Sequence, residues 1–189
     1  MPISKRELQR LDRALCEQRN DAPLYCLLLM RLDAGTIARY SLVLPSRFAH
    51  ALVLLGRHTS PAVPFELCDE LAAFYARVFS AAHHPAHRRL ALSRLLALGA
   101  SHRRYQVADV VREVLWSARS CGDLELVLSV LDASPHASWY AHPNTFRGYL
   151  HPSVAVALTQ ARETRVSARP RRGIAGVGGV KADPAAARG

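Results

Sequence analysis

Val107, Val110, Val111, Val114 and Leu115 stand at i, i+3, i+4, i+7 and i+8. This spacing lines one face of an α-helix and would scatter across both faces of a strand. The same period governs most of the chain. Leu67, Leu71, Phe74 and Val78 share a face within residues 64–83, and a second apolar helical run follows over 86–99. Between them Pro85 disfavours helix at His84, so 64–99 is predicted to be an αα-hairpin. Residues 4–19 read as an amphipathic helix opened by a Ser4/Glu7 capping box, with Leu8, Leu11 and Leu15 on one stripe. In 42–58, Pro45 and Ser46 mark a turn or first helical position, and Gly56 is the expected stop. Gly99 and Gly122 are expected to stop the later helices, before a short helix over 123–134 with Asp123 near its N-terminus. Residues 22–32 are apolar all round and are expected to be buried, as helix or strand; periodicity does not decide a run this short. No internal repeat is visible, which argues against a solenoid. The predicted class is all-α.

A chain of 189 residues, half of them hydrophobic, is long enough for one domain with a real core. Aromatic residues make up only 7%, so that core must be aliphatic. The four cysteines (Cys16, Cys26, Cys68 and Cys121) are widely spaced in apolar helical contexts, which predicts buried free thiols in a reducing compartment. The first ten residues carry no apolar run of the kind a secretory signal needs, and "LYCLLLM" is far too short to span a bilayer. The expectation is a soluble intracellular protein without a transmembrane segment.

Motifs for chemistry are missing. No phosphate-cradling glycine motif or nucleophile elbow occurs, and the glycines of "GIAGVGGV" follow no strand. His83 and His87 are an i, i+4 pair, but Pro85 lies between them and no acidic or cysteine ligand is near, so a solvated turn is expected. The "HRR" runs at 87–89 and 102–104 read equally as phosphate contacts or as exposed basic helix ends. The chain is therefore not expected to be an enzyme, to hold a metal or cofactor, or to take a small-molecule substrate.

Net charge is +10 and it is uneven. Residues 161–189 hold Arg162, Arg165, Arg169, Arg171, Arg172, Lys181 and Arg188 against Glu163 and Asp183. Residues 168–189 are predicted to form a short disordered basic tail, joined through a linker over 155–167. Ahead of it, residues 135–154 carry Pro135, Pro143 and Pro152 and cannot form one continuous helix. This segment gathers Trp139, Tyr140, Phe146 and Tyr149 with Arg147 and no acidic residue. An extended arm cannot bury four rings within itself. They either fold back onto the helical body or anchor a neighbouring chain, the composition being that of interface hot spots.

The spacing carries a resemblance that favours the neighbour. "VLWSARSC" contains Trp116 and Cys121, and Trp139 opens the pattern W-x3-P-x2-F-R-x4-P-x-V through Pro143, Phe146, Arg147, Pro152 and Val154. Over residues 116–154 this resembles, without a gap, the core (capsid) proteins of the hepatitis-B-like viruses, the hepadnaviruses and their non-enveloped fish relatives. "LPSRFAHALVLL" at 44–55 is similar to that family's L-P-S-x-F helix start, and the hairpin at 64–99 falls where the family has its spike hairpin. The resemblance implies a coat protein whose hairpins pair into a four-helix bundle on dimerisation, and whose dimers assemble into an icosahedral shell. By the same resemblance Trp139, Pro143, Phe146, Arg147, Pro152 and Val154 would make the contact between dimers. Leu67, Leu71, Phe74, Val78, Val111, Leu115, Trp116 and Cys121 would pack the hairpin and core. Phe146 stands where the family usually has tyrosine, which keeps the ring and loses the hydroxyl.

The implied partners are a second copy of the chain, then the shell, and RNA or DNA through Arg165, Arg169, Arg171, Arg172 and Lys181. The implied locations are the virion, the host cytoplasm and the nucleus. Counterion release scales with the number of phosphates neutralised, so so short a tail is expected to bind nucleic acid weakly and without sequence preference. The alternative, from another class, is a helical adaptor or regulatory protein whose basic tail targets nucleic acid. In that case the aromatics of 135–154 would cover their own body. On the coat-protein reading the helical assembly domain is expected to span 1–154, with the arm at 135–154.

Overall fold

The computed structural model of the chain describes residues 3–59, 67–101, 105–117 and 121–134, with residues 156, 157, 159, 160 and 163. The predicted arm contacts and tail arginines lie outside the described residues, as does the second "HRR" run. Among the described residues there are eight α-helices and no strand. They are α1 (Lys5–Glu17), α2 (Ala22–Met30), α3 (Ala34–Val43), α4 (Pro45–His58), α5 (Cys68–Ala81), α6 (Pro85–Ser101), α7 (Tyr105–Ser117) and α8 (Cys121–Ala133). The all-α class is correct. Residues 156, 157, 159, 160 and 163, within the predicted linker, are also helical.

Local chemistry explains where these helices begin. Ser4 accepts from the Glu7 amide while Glu7 accepts from the Ser4 amide, the reciprocal capping box expected at α1. Asp21 accepts from Leu24 N–H at 3.1 Å and Asp33 from Thr36 N–H at 2.7 Å, capping α2 and α3. Both carboxyls are free of any helical competitor for that amide, and the Thr36 bonds hold the Asp33 carboxyl below its ordinary value. Pro45 is the first residue of α4. It forces Leu44 out of helical geometry (φ −131°, ψ 58°) and so splits residues 34–58 into two helices. Pro85 does the same between α5 and α6.

The core runs around α5. Leu71, Phe74, Tyr75, Val78 and Phe79 are all buried, and α5 packs against α6, α7, α3 and α2. The hairpin of α5 and α6 is the tightest pairing in the fold, as the sequence predicts. Leu71, Phe74, Val78, Val111 and Leu115 lie in one continuous core, with Leu67 packed at its edge. The core is mainly aliphatic, with Phe48 and Phe74 among its few fully buried rings.

Five sequence expectations need correction. Gly56 does not stop α4, which continues to His58. A Cβ there would lie 2.7 Å from Arg94 Cζ, so glycine admits the guanidinium of α6 against the α4 backbone. Gly99 is buried inside α6, which continues to Ser101, and Gly122 is the second residue of α8 and not a stop. The run 22–32 is a helix, but Leu24 and Leu27 are 37% and 40% exposed, because α2 packs on one side only. Finally, Cys26 and Cys68 are buried thiols, whereas Cys16 is exposed, one residue round the helix from buried Leu15.

Arg88 joins three elements. Its Nε donates to Phe79 O at 2.7 Å, its guanidinium lies 4.8 Å from the Phe79 ring centroid, and Nη2 pairs with Asp123 on α8. The planar fork of arginine allows all three at once. Arg88→Met should lower unfolding stability by about 1–2 kcal/mol, and Arg88→Lys should recover only part of that. Urea denaturation of the three proteins checks this; a fully stable lysine variant would mean that charge alone suffices.

Candidate functional site

The sequence-predicted residues divide sharply. Leu71, Phe74, Val78, Val111 and Leu115 come together in the core, where they support the fold. Trp116 is half-buried in the last turn of α7, and Cys121 opens α8. The arm and tail residues lie outside the described set. Arg88 of the first "HRR" run is committed to Phe79 and Asp123, which leaves Arg89 as the exposed cation.

A different polar centre, which the sequence reading missed, lies where α3, α4 and α6 meet. His87 is only 2% exposed, although the sequence placed it in a solvated turn. Its Nδ1 is 2.8 Å from Ser41 Oγ and its Nε2 is 2.9 Å from Pro45 O. A carbonyl can only accept, so Nε2 carries the proton and Nδ1 accepts from the Ser41 hydroxyl. Ser41 in turn accepts from His84 N–H at 3.2 Å. Phe48 meets the His87 ring edge-to-face at 5.1 Å, and Tyr40 lies 5.0 Å from Phe48. The signal in the sequence was faint: Ser41 and His87 are 46 residues apart and neither belongs to a motif.

A serine bonded to a histidine invites comparison with a nucleophile and its base. Here the pair is sealed. Ser41 is 1% exposed, and the second ring nitrogen bonds a backbone carbonyl where a catalytic histidine would have a carboxylate. Neither nitrogen keeps a free lone pair for a metal, which removes the pairing of His83 with His87. Among the described residues no group of three or more His, Cys, Asp or Glu side chains is placed to hold a metal ion.

Two hollows remain. One, of about 80 Å³, lies between α1 and α4 and is lined by Asp12, Cys16, Arg19, Tyr40, Arg47 and His50 among others. It has room for a few waters and is well below the size of a small-molecule site. Tyr40 donates to Asp12 at its edge, and burial first, then that bond, pushes the phenol above its ordinary pKa. The other, of about 350 Å³, is an open groove between α6 and α8 lined by Arg89, Leu90, Ser93, Ser129 and Val130.

The closed geometry of His87 has a measurable consequence. Burial holds its pKa below the ordinary value, the Pro45 bond opposes this, and the nearby His84 ring adds to the lowering. Above about pH 6.5 the ring is neutral in both folded and unfolded chains. Below it the unfolded chain takes up a proton that the native state refuses, so stability falls as pH falls. This one group contributes a slope of at most about 1.4 kcal/mol per pH unit. Chemical unfolding between pH 7.5 and 5 should show the decline, and His87→Gln should flatten it. Equal slopes in both proteins would place the titration elsewhere.

No protein-family model matches this chain, and no curated protein or solved structure matches it significantly.

Proposed function

We propose that this chain is a self-assembling coat protein, related to the hepatitis-B-like virus core proteins. The reading is carried by one observation: the ungapped register from Trp116 through Trp139, Pro143, Phe146, Arg147 and Pro152 to Val154. It is further supported by an all-helical body with a close α5–α6 hairpin. Along α6, Ala86, Leu90, Ser93, Ala97 and Ala100 are exposed or half-buried and stand four, three, four and three apart. That is the seam spacing of paired helices, and small side chains there let two hairpins approach closely in a four-helix bundle. The arm then bridges dimers. Trp139 packs at its foot, Pro143 and Pro152 fix its path, Phe146 enters a pocket of the next dimer, and Arg147 braces it. Each contact can be weak, because closed symmetry repeats it many times. The tail gives non-specific contact with RNA or DNA, and the protein belongs to a virion with a cytoplasmic or nuclear stage in the host.

The second reading, a helical adaptor, is favoured by the burial of α5. Its large apolar side chains are spent inside the monomer, as a self-contained domain requires. Negative-stain microscopy of the purified protein separates the two. Shells or shell fragments support the coat reading, and a small species at high concentration and high salt sinks it. Phe146→Ala should leave helical content intact and stop assembly beyond the dimer; loss of helical signal would place that ring in the monomer core. Removing residues 168–189 should spare assembly, reduce co-purifying RNA and flatten its salt dependence, whereas unchanged RNA content would remove the role given to the tail.

A further inference from the structure

We infer that α2 is a self-association surface, through which two copies of this chain meet antiparallel across a two-fold axis. The helix reads "APLYCLLLM" and has no polar face. Tyr25, Cys26, Leu29 and Met30 are buried on one side, where α2 packs against α4, α1 and α5. The other side is open. Leu24 and Leu27 are 37% and 40% exposed, Leu28 is half-buried, and Asp21 and Arg31 are exposed. At 100° per residue, Asp21, Leu24, Leu27, Leu28 and Arg31 fall within an arc of about 120°. The result is an apolar stripe with an acid at one end and a base at the other.

That polarity selects the occupant. A two-fold contact uses one patch twice, so the patch must complement itself. Placed antiparallel, α2 of each copy sets Asp21 against Arg31 of the other, at two symmetric points. The centre of the stripe then brings Leu24 of one helix beside Leu28 of the other, with the two Leu27 side chains between them. A parallel arrangement would set like charges together and is disfavoured. The Asp21 cap engages Oδ1, so the exposed carboxylate keeps its second oxygen for the arginine.

The size of the patch sets the strength of the contact. A nine-residue helix is about 14 Å long, and its open side offers far less than the roughly 800 Å² per partner of a stable interface. Association through α2 alone is therefore weak and depends on concentration, and it gains weight where other contacts already hold copies together. The inference does not rest on the coat reading. Copies that associate through α2 without forming shells would keep the one and remove the other.

Analytical ultracentrifugation of the full chain over a wide concentration range tests it. Leu27→Glu should weaken one association step by about tenfold or more, and Arg31→Glu should weaken the same step several-fold, with raised salt doing likewise. Leu42→Glu is the control, because Leu42 is 59% exposed but lies on α3, outside the stripe. The inference is overturned if Leu27→Glu sediments like the unaltered protein, or if the two leucine variants weaken association equally. It is also overturned if the Leu27→Glu monomer loses much of its unfolding stability, which would place a segment of its own chain on this face.

Discussion

Two proline corners meet at one imidazole. Pro45 breaks the run 34–58 and Pro85 breaks the run 68–101, so each needs something to fix the angle at which its two helices leave. His87 serves both corners. Its ring reaches Ser41 on α3 with one nitrogen and Pro45 on α4 with the other, while Ser41 also holds His84 N–H just before Pro85. Tyr40 and Phe48 close the apolar side of the same junction. With the two corners tied together, α3 lies along α5 and α4 along α6, and the core forms between them. Nδ1 accepts from the Ser41 hydroxyl only while the ring is neutral, and so this buried polar group gives the fold specificity at the cost of acid sensitivity.

How much of this the sequence discloses depends on the range of the interaction responsible. Local effects are legible. Ser4 and Glu7 are three residues apart and announce α1, and the period of Leu71, Phe74 and Val78 announces α5. The break at Pro85 follows from a clash within a single dipeptide. The helix α3 is harder to see, because "AGTIARYSLV" mixes glycine, β-branched residues and polar residues without a clear stripe; its one local signal is Asp33 three residues before Thr36. Effects set by neighbours distant in the chain are not legible. Gly56 has the look of a helix stop and serves instead as a seat for Arg94, 38 residues later. His87 has the polarity of a surface residue and is buried because Ser41 and Pro45 supply its partners. An all-apolar α2 predicts burial, yet α4, α1 and α5 cover one side of it and leave Leu24 and Leu27 exposed.

The candidate assembly residues were legible in a different sense. Their register from Trp116 to Val154 is a pattern of spacing, and spacing carries a resemblance without carrying a contact. Leu71, Phe74, Val78, Val111 and Leu115 are a separate group, which follows from helical period and lies in the core. The contact assigned to the arm depends on where a second chain would stand, and no property of an isolated monomer determines that.

The energetics of the monomer nonetheless constrain how copies of it could meet. Among the described residues the large apolar side chains are mostly consumed by α5 and its neighbours. What they leave outside is modest: a leucine stripe on α2, and a seam of mostly small residues on α6 whose Leu90 and Ser93 also line the groove against α8. A single contact of that size competes poorly with the entropy lost on association. Several such contacts, made together in a closed arrangement, add their free energies while the entropic cost of fixing each copy is incurred once. Contacts of this size make any association of the chain depend on concentration and on how many of them are made together.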